Sequence, residues 1–153
     1  MKPIIVLKIG TSTLTAGTDN ISRGKIEDIS RQILELKKEY NVILVSSGAI
    51  ATARQFIKLN NKSILIKNKS ALSAIGQPKL MQIFIEVFND FGLNAAQCLL
   101  THYDLKGNDS RLNTKNTIID LLKHDYIPII NENDTVAVEE IILGDNDKLS
   151  AMV

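Results

Sequence analysis

The chain has 153 residues, 44% of them hydrophobic and 23% charged, which is the composition of one globular domain with enough apolar side chains for a real core. Lysine and arginine number 18 against 17 acidic residues, and the formal charge of +1 provides no electrostatic basis for binding nucleic acid. No apolar run approaches the ~20 residues of a membrane span, and a single cysteine excludes an intrachain disulfide and suits a reducing cytosol.

Met1-Lys2-Pro3 leads straight into the apolar run 4–9, without the longer hydrophobic region and cleavage site of a signal peptide, and that run reads as a buried first strand ending at Gly10. From Ser22, a plausible cap, Ile26, Ile29, Ile33, Leu36 and Tyr40 recur at three- and four-residue steps as one stripe of an amphipathic helix. Asn41 can end that helix, and Val42-Ile43-Leu44-Val45 has the length of a second buried strand. Ser46-Ser47-Gly48 then opens another helical stretch. The long apolar segment 70–91 contains Gly76-Gln77-Pro78, and because proline lacks a backbone donor a break or kink is predicted there. Gly92 stops the segment, residues 93–100 read as a third strand, 117–122 as a helix and 126–130 as a fourth strand. Strands alternating with helices predict a parallel sheet with right-handed crossovers. The final residues, Asp147 to Val153, look like the opening of a helix, so the sequence reads as the first part of something longer.

Four segments stand where apolar runs give way to small or carboxylate side chains: 8–12 (K-I-G-T-S), 46–50 (S-S-G-A-I), 130–134 (I-N-E-N-D) and 144–147 (G-D-N-D). Ligands of open α/β sheets bind outside the carboxyl ends of parallel strands. If these runs are parallel neighbours, Lys8, Gly10, Ser47, Gly48, Asn131, Asp134, Asn146 and Asp147 converge on one rim, which suits phosphate beside a small polar metabolite. Lys8 can neutralise charge on a transferring phosphoryl group and Gly10 permits close backbone approach, although a strand-end turn with a solvated lysine has the same sequence. Ser46 or Ser47 can simply cap a helix, or can line an anion site at its N-terminus. The polar run 131–134 exceeds what a turn requires, and a carboxylate there could receive a substrate ammonium group. Asp134, Asp145 and Asp147 are also hard oxygen ligands, so metal binding is a rival reading. Cys98 lies in an apolar run as a packing thiol. His102, placed in a strand-end loop, and His124, at a helix end, do not form a metal site. Lys67, Lys69, Lys106, Arg111 and Lys115 are scattered through what read as polar loops and mark solvated surface.

Taken together, K-I-G-T-S-T-L-T, V-S-S-G-A-I-A, I-G-Q-P-K-L, L-L-T, R-L-N-T, I-P-I-I-N-E-N-D-T-V and G-D-N-D-K-L-S-A resemble, in order, the motifs of the glutamate 5-kinases, a family within the amino acid kinase superfamily, from Lys2 to Val153. The resemblance implies a three-layer α/β/α sandwich on a mainly parallel sheet. Residues 1–153 would be the N-terminal, substrate-binding part of the kinase domain, without the later part that supplies the adenine and ribose pocket and a second catalytic lysine. It implies ATP-dependent phosphorylation of the side-chain carboxylate of L-glutamate, first in proline biosynthesis, by a cytoplasmic homo-oligomer inhibited by L-proline, with Mg²⁺ carried mainly by the nucleotide. By the same resemblance Lys8 contacts the ATP phosphates, Gly10 and Thr11 belong to the phosphate loop, Ser47, Asp134 and Asn146 bind glutamate, and Asp147 orients the catalytic lysines. Ile142 stands where some relatives have lysine. The alternatives are another amino acid kinase acting on a different carboxylate or carbamate, and a ligand-binding part without catalysis.

Overall fold

A computed structural model describes residues 2–59, 68–137 and 146–153. Its elements, in chain order, are β1 Ile4–Ile9, α1 Thr11–Leu14, α2 Arg23–Leu36, β2 Asn41–Ser46, α3 Ala49–Leu59, α4 Lys69–Asp90, β3 Asn94–Leu100, α5 His102–Lys106, α6 Asn108–Lys123, β4 Tyr126–Glu132 and α7 Asp147–Met152. The four strands form one sheet in the order β1-β2-β4-β3, and every pairing is parallel. Among the described residues no helix is long and apolar enough to cross a membrane.

The period-2 alternation of the central strands builds the three layers. Val42 and Leu44 of β2 and Ile127 and Ile129 of β4 face a core closed by α1, α2 and α4, while Ile43, Val45 and Ile130 face the opposite side, closed by Leu105, Ile118, Leu122 and Leu149. This is the predicted α/β/α sandwich. The register sets Val6 of β1 opposite Ile43 and Leu44 of β2 opposite Ile129, so the carboxyl ends of β1, β2 and β4 reach the same rim side by side.

The predicted stripe of α2 buries Ile26, Ile29 and Ile33, and the Ser22 side chain accepts a bond from the Lys25 amide as its cap. Leu36 ends the helix, so Tyr40 lies outside it. Two expectations need correction. Pro78 does not interrupt α4, which runs unbroken from Lys69 to Asp90. A proline inside a helix costs about 3 kcal/mol, whereas Leu80, Met81, Phe84, Val87 and Phe88 beyond it are all buried, at roughly 1.5–3 kcal/mol for each fully buried side chain. Pro78 and Ala74, the residue whose carbonyl loses its donor, are both exposed, so water can satisfy that carbonyl. Second, the stretch read as polar loops after residue 100 is helical: α5 opens with a capping box in which Asp104 accepts from the Thr101 amide, and α6 begins at Asn108, nine residues before the predicted start. Lys106, Arg111 and Lys115 therefore stand on helices, and His102 is the buried first residue of α5.

Candidate active site at the carboxyl rim of the sheet

The ends of β1, β2 and β4 each deliver one part of the site. β1 carries Lys8 and hands over at Gly10 to the short α1, which begins with Thr11. The Ser47 amide bonds to the Ile9 carbonyl at 3.1 Å, holding the β2–α3 turn against the end of β1. That turn requires glycine, since Gly48 has φ +106° and lies against Leu14 and Ile21. Gly10, by contrast, has an ordinary φ of −75°. Nothing lies closer than 3.7 Å to the position of an added Cβ there, and that nearest atom is Lys8 Nζ. An added methyl would therefore meet only ordinary contacts, from Lys8 Nζ and Ser12 Oγ, so neither backbone strain nor a clash fixes glycine at this position.

β4 continues farther than the apolar run suggested: Asn131 and Glu132 still pair with Leu99 and Leu100 of β3. Asn131 is buried, and its side chain belongs to a chain of amides. Asn131 Nδ2 donates to Gln77 Oε1 at 2.8 Å, and Asn131 Oδ1 accepts from Asn146 Nδ2 at 2.8 Å and from the Glu132 amide at 2.9 Å. Asn146 Nδ2 also faces the Ser46 carbonyl at 2.6 Å and Ser47 Oγ at 3.1 Å. Buried amides are stable only when partnered in this way, and the network ties α4, β4, the β2–α3 turn and the start of α7 to one another. Asp147, the first residue of α7, then meets Lys8: Nζ to Oδ1 is 2.8 Å. Asp134 accepts a 2.7 Å bond from Ser73 Oγ, one turn before Gln77 on α4.

A cavity of about 370 Å³ opens at this rim, lined in part by Thr11, Ser47, Asn131, Asp134 and Asn146. The structure therefore brings together the predicted substrate set Ser47, Asp134 and Asn146, and pairs Lys8 with Asp147 next to it. Ile142, Asp145, Gly144 and Lys67 lie outside the described residues. Among the described residues no three histidine, cysteine or acidic side chains are grouped to hold a metal ion. Burial pushes the half-buried Cys98 thiol up from its ordinary range, in keeping with a packing thiol.

Sequence reasoning missed Ser73, Gln77, Arg54 and Lys69. The first two are helix-interior residues whose partners lie 61 and 54 positions away, so no local pattern marks them. Lys69 was read as solvated surface, yet it and Arg54 both line the cavity.

The model of the amino acid kinase family matches residues 3–153. The chain is 46% identical over 152 residues to "Glutamate 5-kinase 2" of Pseudoalteromonas translucida, covering 98% of this chain and 41% of that protein. It is 47% identical over 151 residues to glutamate 5-kinase of Desulfotalea psychrophila, covering 97% and 40%. Against the glutamate 5-kinase of Helicobacter hepaticus it is 46% identical over 155 residues, covering 99% and 56%. The chain thus spans between two fifths and three fifths of the length of these relatives. Among solved structures, UMP kinase from Ureaplasma parvum superposes with a TM-score of 0.55 at 19% identity over 85% of this chain and 56% of that one. Giardia carbamate kinase gives 0.56 at 13% identity, over 86% and 60%. At such identities the likeness is one of fold.

Proposed function

The chain belongs to the amino acid kinase family, and from that premise we propose that it carries the amino-acid side of a glutamate 5-kinase, which phosphorylates the side-chain carboxylate of L-glutamate with ATP. The observation that supports this best is the juxtaposition at one rim of a polar cavity lined by Ser47, Asp134 and Asn146 with the Lys8–Asp147 ion pair.

In this reading the substrate ammonium is taken by Asp134, whose other interaction, from Ser73, leaves carboxylate lone pairs for it. Ser47 and Asn146 orient the rest of the molecule. The nucleophile is the side-chain carboxylate of glutamate, ionised at neutral pH because its reference pKa is about 4.3, so no general base is needed. Its oxygen forms a bond to the γ-phosphorus as the bond to the β,γ-bridging oxygen breaks, giving ADP and L-glutamyl 5-phosphate. The obstacle is repulsion between a carboxylate and a polyanion. Lys8 offsets it, Asp147 fixes the direction of the Lys8 head, and the loop at Gly10 and Thr11 receives the phosphates. A Mg²⁺ ion arriving on the nucleotide would add positive charge there. No described residue is assigned to adenine or ribose. The same reading places the reaction first in proline synthesis, in the cytoplasm, with a homo-oligomer as the working assembly and L-proline as inhibitor; each of these rests on family resemblance alone.

The direct test is acyl phosphate formation by the full-length protein, trapped with hydroxylamine, on L-glutamate, L-aspartate and N-acetyl-L-glutamate. Hydroxamate from glutamate alone is expected, and preference for either other acceptor rejects the assignment. Asp134→Ala is expected to weaken glutamate binding by about 1.5–3 kcal/mol, the worth of one hydrogen bond to a charged group. Calorimetry on the variant and the unmodified protein measures the difference, and equal affinities would remove Asp134 from the site.

A further inference from the structure

The cavity has walls of opposite charge. Asp134 and Glu132 stand at the end of β4, whereas Arg54 projects from α3 and Lys69 is the first residue of α4. Arg54 is exposed, and among the described residues no carboxylate is within ion-pair distance of it. Its position relative to Asp134 is nevertheless fixed. An added Cβ on Gly76 of α4 would lie 2.8 Å from the Ala53 amide nitrogen, so α4 presses on α3 at the residue before Arg54. The same helix α4 holds Asp134 through Ser73.

We propose that Arg54 is a specificity-determining residue that binds the α-carboxylate of the amino-acid substrate. The inference rests on the functional reading above and goes beyond it by assigning the one charged group of glutamate left without a partner. With the ammonium at Asp134 and the reacting carboxylate directed to the Lys8–Asp147 corner, the α-carboxylate is bound to the same carbon as the ammonium. It must therefore find a cation within the cavity that holds Asp134. Guanidinium presents two parallel donors matched to the two oxygens of a carboxylate, which a lysine ammonium cannot do. The contact is remote from the reacting atoms and equal in ground and transition states, so it contributes to binding rather than to turnover. It also selects α-amino acids over simple amines or monocarboxylates of the same length.

The experiment uses the full-length protein, its Arg54→Met and Arg54→Lys variants and Lys69→Met, with hydroxamate kinetics on L-glutamate. Glutarate, which lacks the ammonium, and 4-aminobutyrate, which lacks the α-carboxylate, serve as competing ligands. Arg54→Met is expected to raise the glutamate KM roughly 10- to 100-fold, with kcat within about threefold of the unmodified protein. Inhibition by glutarate should weaken by the same factor while inhibition by 4-aminobutyrate stays unchanged, and Arg54→Lys should fall between. Far-UV circular dichroism matching the unmodified protein shows that the exposed substitution leaves the fold intact. An unchanged KM in Arg54→Met overturns the proposal, as does a loss of kcat without a change in KM, or a KM effect that follows Lys69→Met instead. Failure of the unmodified protein to phosphorylate glutamate is a separate result: it overturns the functional reading, and the Arg54 assignment with it.

Discussion

Lys8→Ala is expected to lower the turnover of glutamate phosphorylation by about 10²–10³-fold while changing glutamate affinity little. Lys8 Nζ is held 2.8 Å from Asp147 Oδ1 at the end of β1, beside Gly10, and Asp147 follows Asn146, which lines the cavity. On the proposed reading, positive charge so placed would act on the phosphoryl group in transit. Its contribution therefore grows between the bound state and the transition state, and removing it falls on kcat. Asp147 anchors the Lys8 head, as the proposed role needs: without an anchor the four-carbon stem would sample many positions. Steady-state kinetics at saturating ATP measures both constants. A variant with near-normal kcat and a raised glutamate KM would show that Lys8 binds substrate and does not take part in the transfer.

Gly76→Ala is expected to destabilise the fold by about 1–3 kcal/mol, and to weaken glutamate binding in whatever protein remains folded. The sign is informative because two effects oppose. Alanine is the better helix former, by up to ~1 kcal/mol in a helix interior. The added methyl, however, would sit 1.8 Å from the Ala49 carbonyl oxygen and 2.8 Å from the Ala53 nitrogen, all backbone atoms of α3 that no rotamer change can move. The helices must separate, and overpacking of this kind costs roughly 1–3 kcal/mol and sometimes more. Against a total stability of ~5–15 kcal/mol, that is a large fraction. Separation also pulls Ser73 and Gln77 away from Asp134 and Asn131, so the site should loosen with the fold. Urea unfolding gives the first effect and calorimetry the second. A more stable variant would mean that helix propensity outweighs the clash.

The strands were legible because a parallel sheet buried on both faces writes itself as short unbroken apolar runs, as in Val42 to Val45. Helix α2 was legible because its stripe is regular. Helix α6 was not: over its sixteen residues only Ile118 and Leu122 are buried, both near its end, while Leu112 is exposed, so its first half carries no periodic signal. Gly76-Gln77-Pro78 misled for a different reason. The proline predicts a break through its missing backbone donor alone, whereas Gly76 is there for close helix contact and Gln77 bonds Asn131. In the site, the charged and glycine-rich strand ends could be read directly, since a lysine or aspartate stands out in an apolar run. Asn131 and Asn146 could be placed at the rim, but their burial and their bonds to Gln77 and to each other were not legible, because an asparagine with a partner elsewhere in the chain has the same local sequence as a solvated one.

The bond from Asn146 to the Ser46 carbonyl joins residues 100 positions apart. Contacts of that separation are entropically the most costly to close, and they form only after the chain between them has been ordered. β2 and β4, which flank the contact, pair directly as Leu44 with Ile129 and Val45 with Ile130, although α3, α4, β3, α5 and α6 intervene in the chain. The ligand cavity is thus a property of the completed topology and of no separable piece of it. Anything that fills the cavity binds the native state alone, and at a hundred times its dissociation constant it would add about 2.7 kcal/mol to stability. In a cell, the supply of such a ligand would then help determine how much of this protein stays folded.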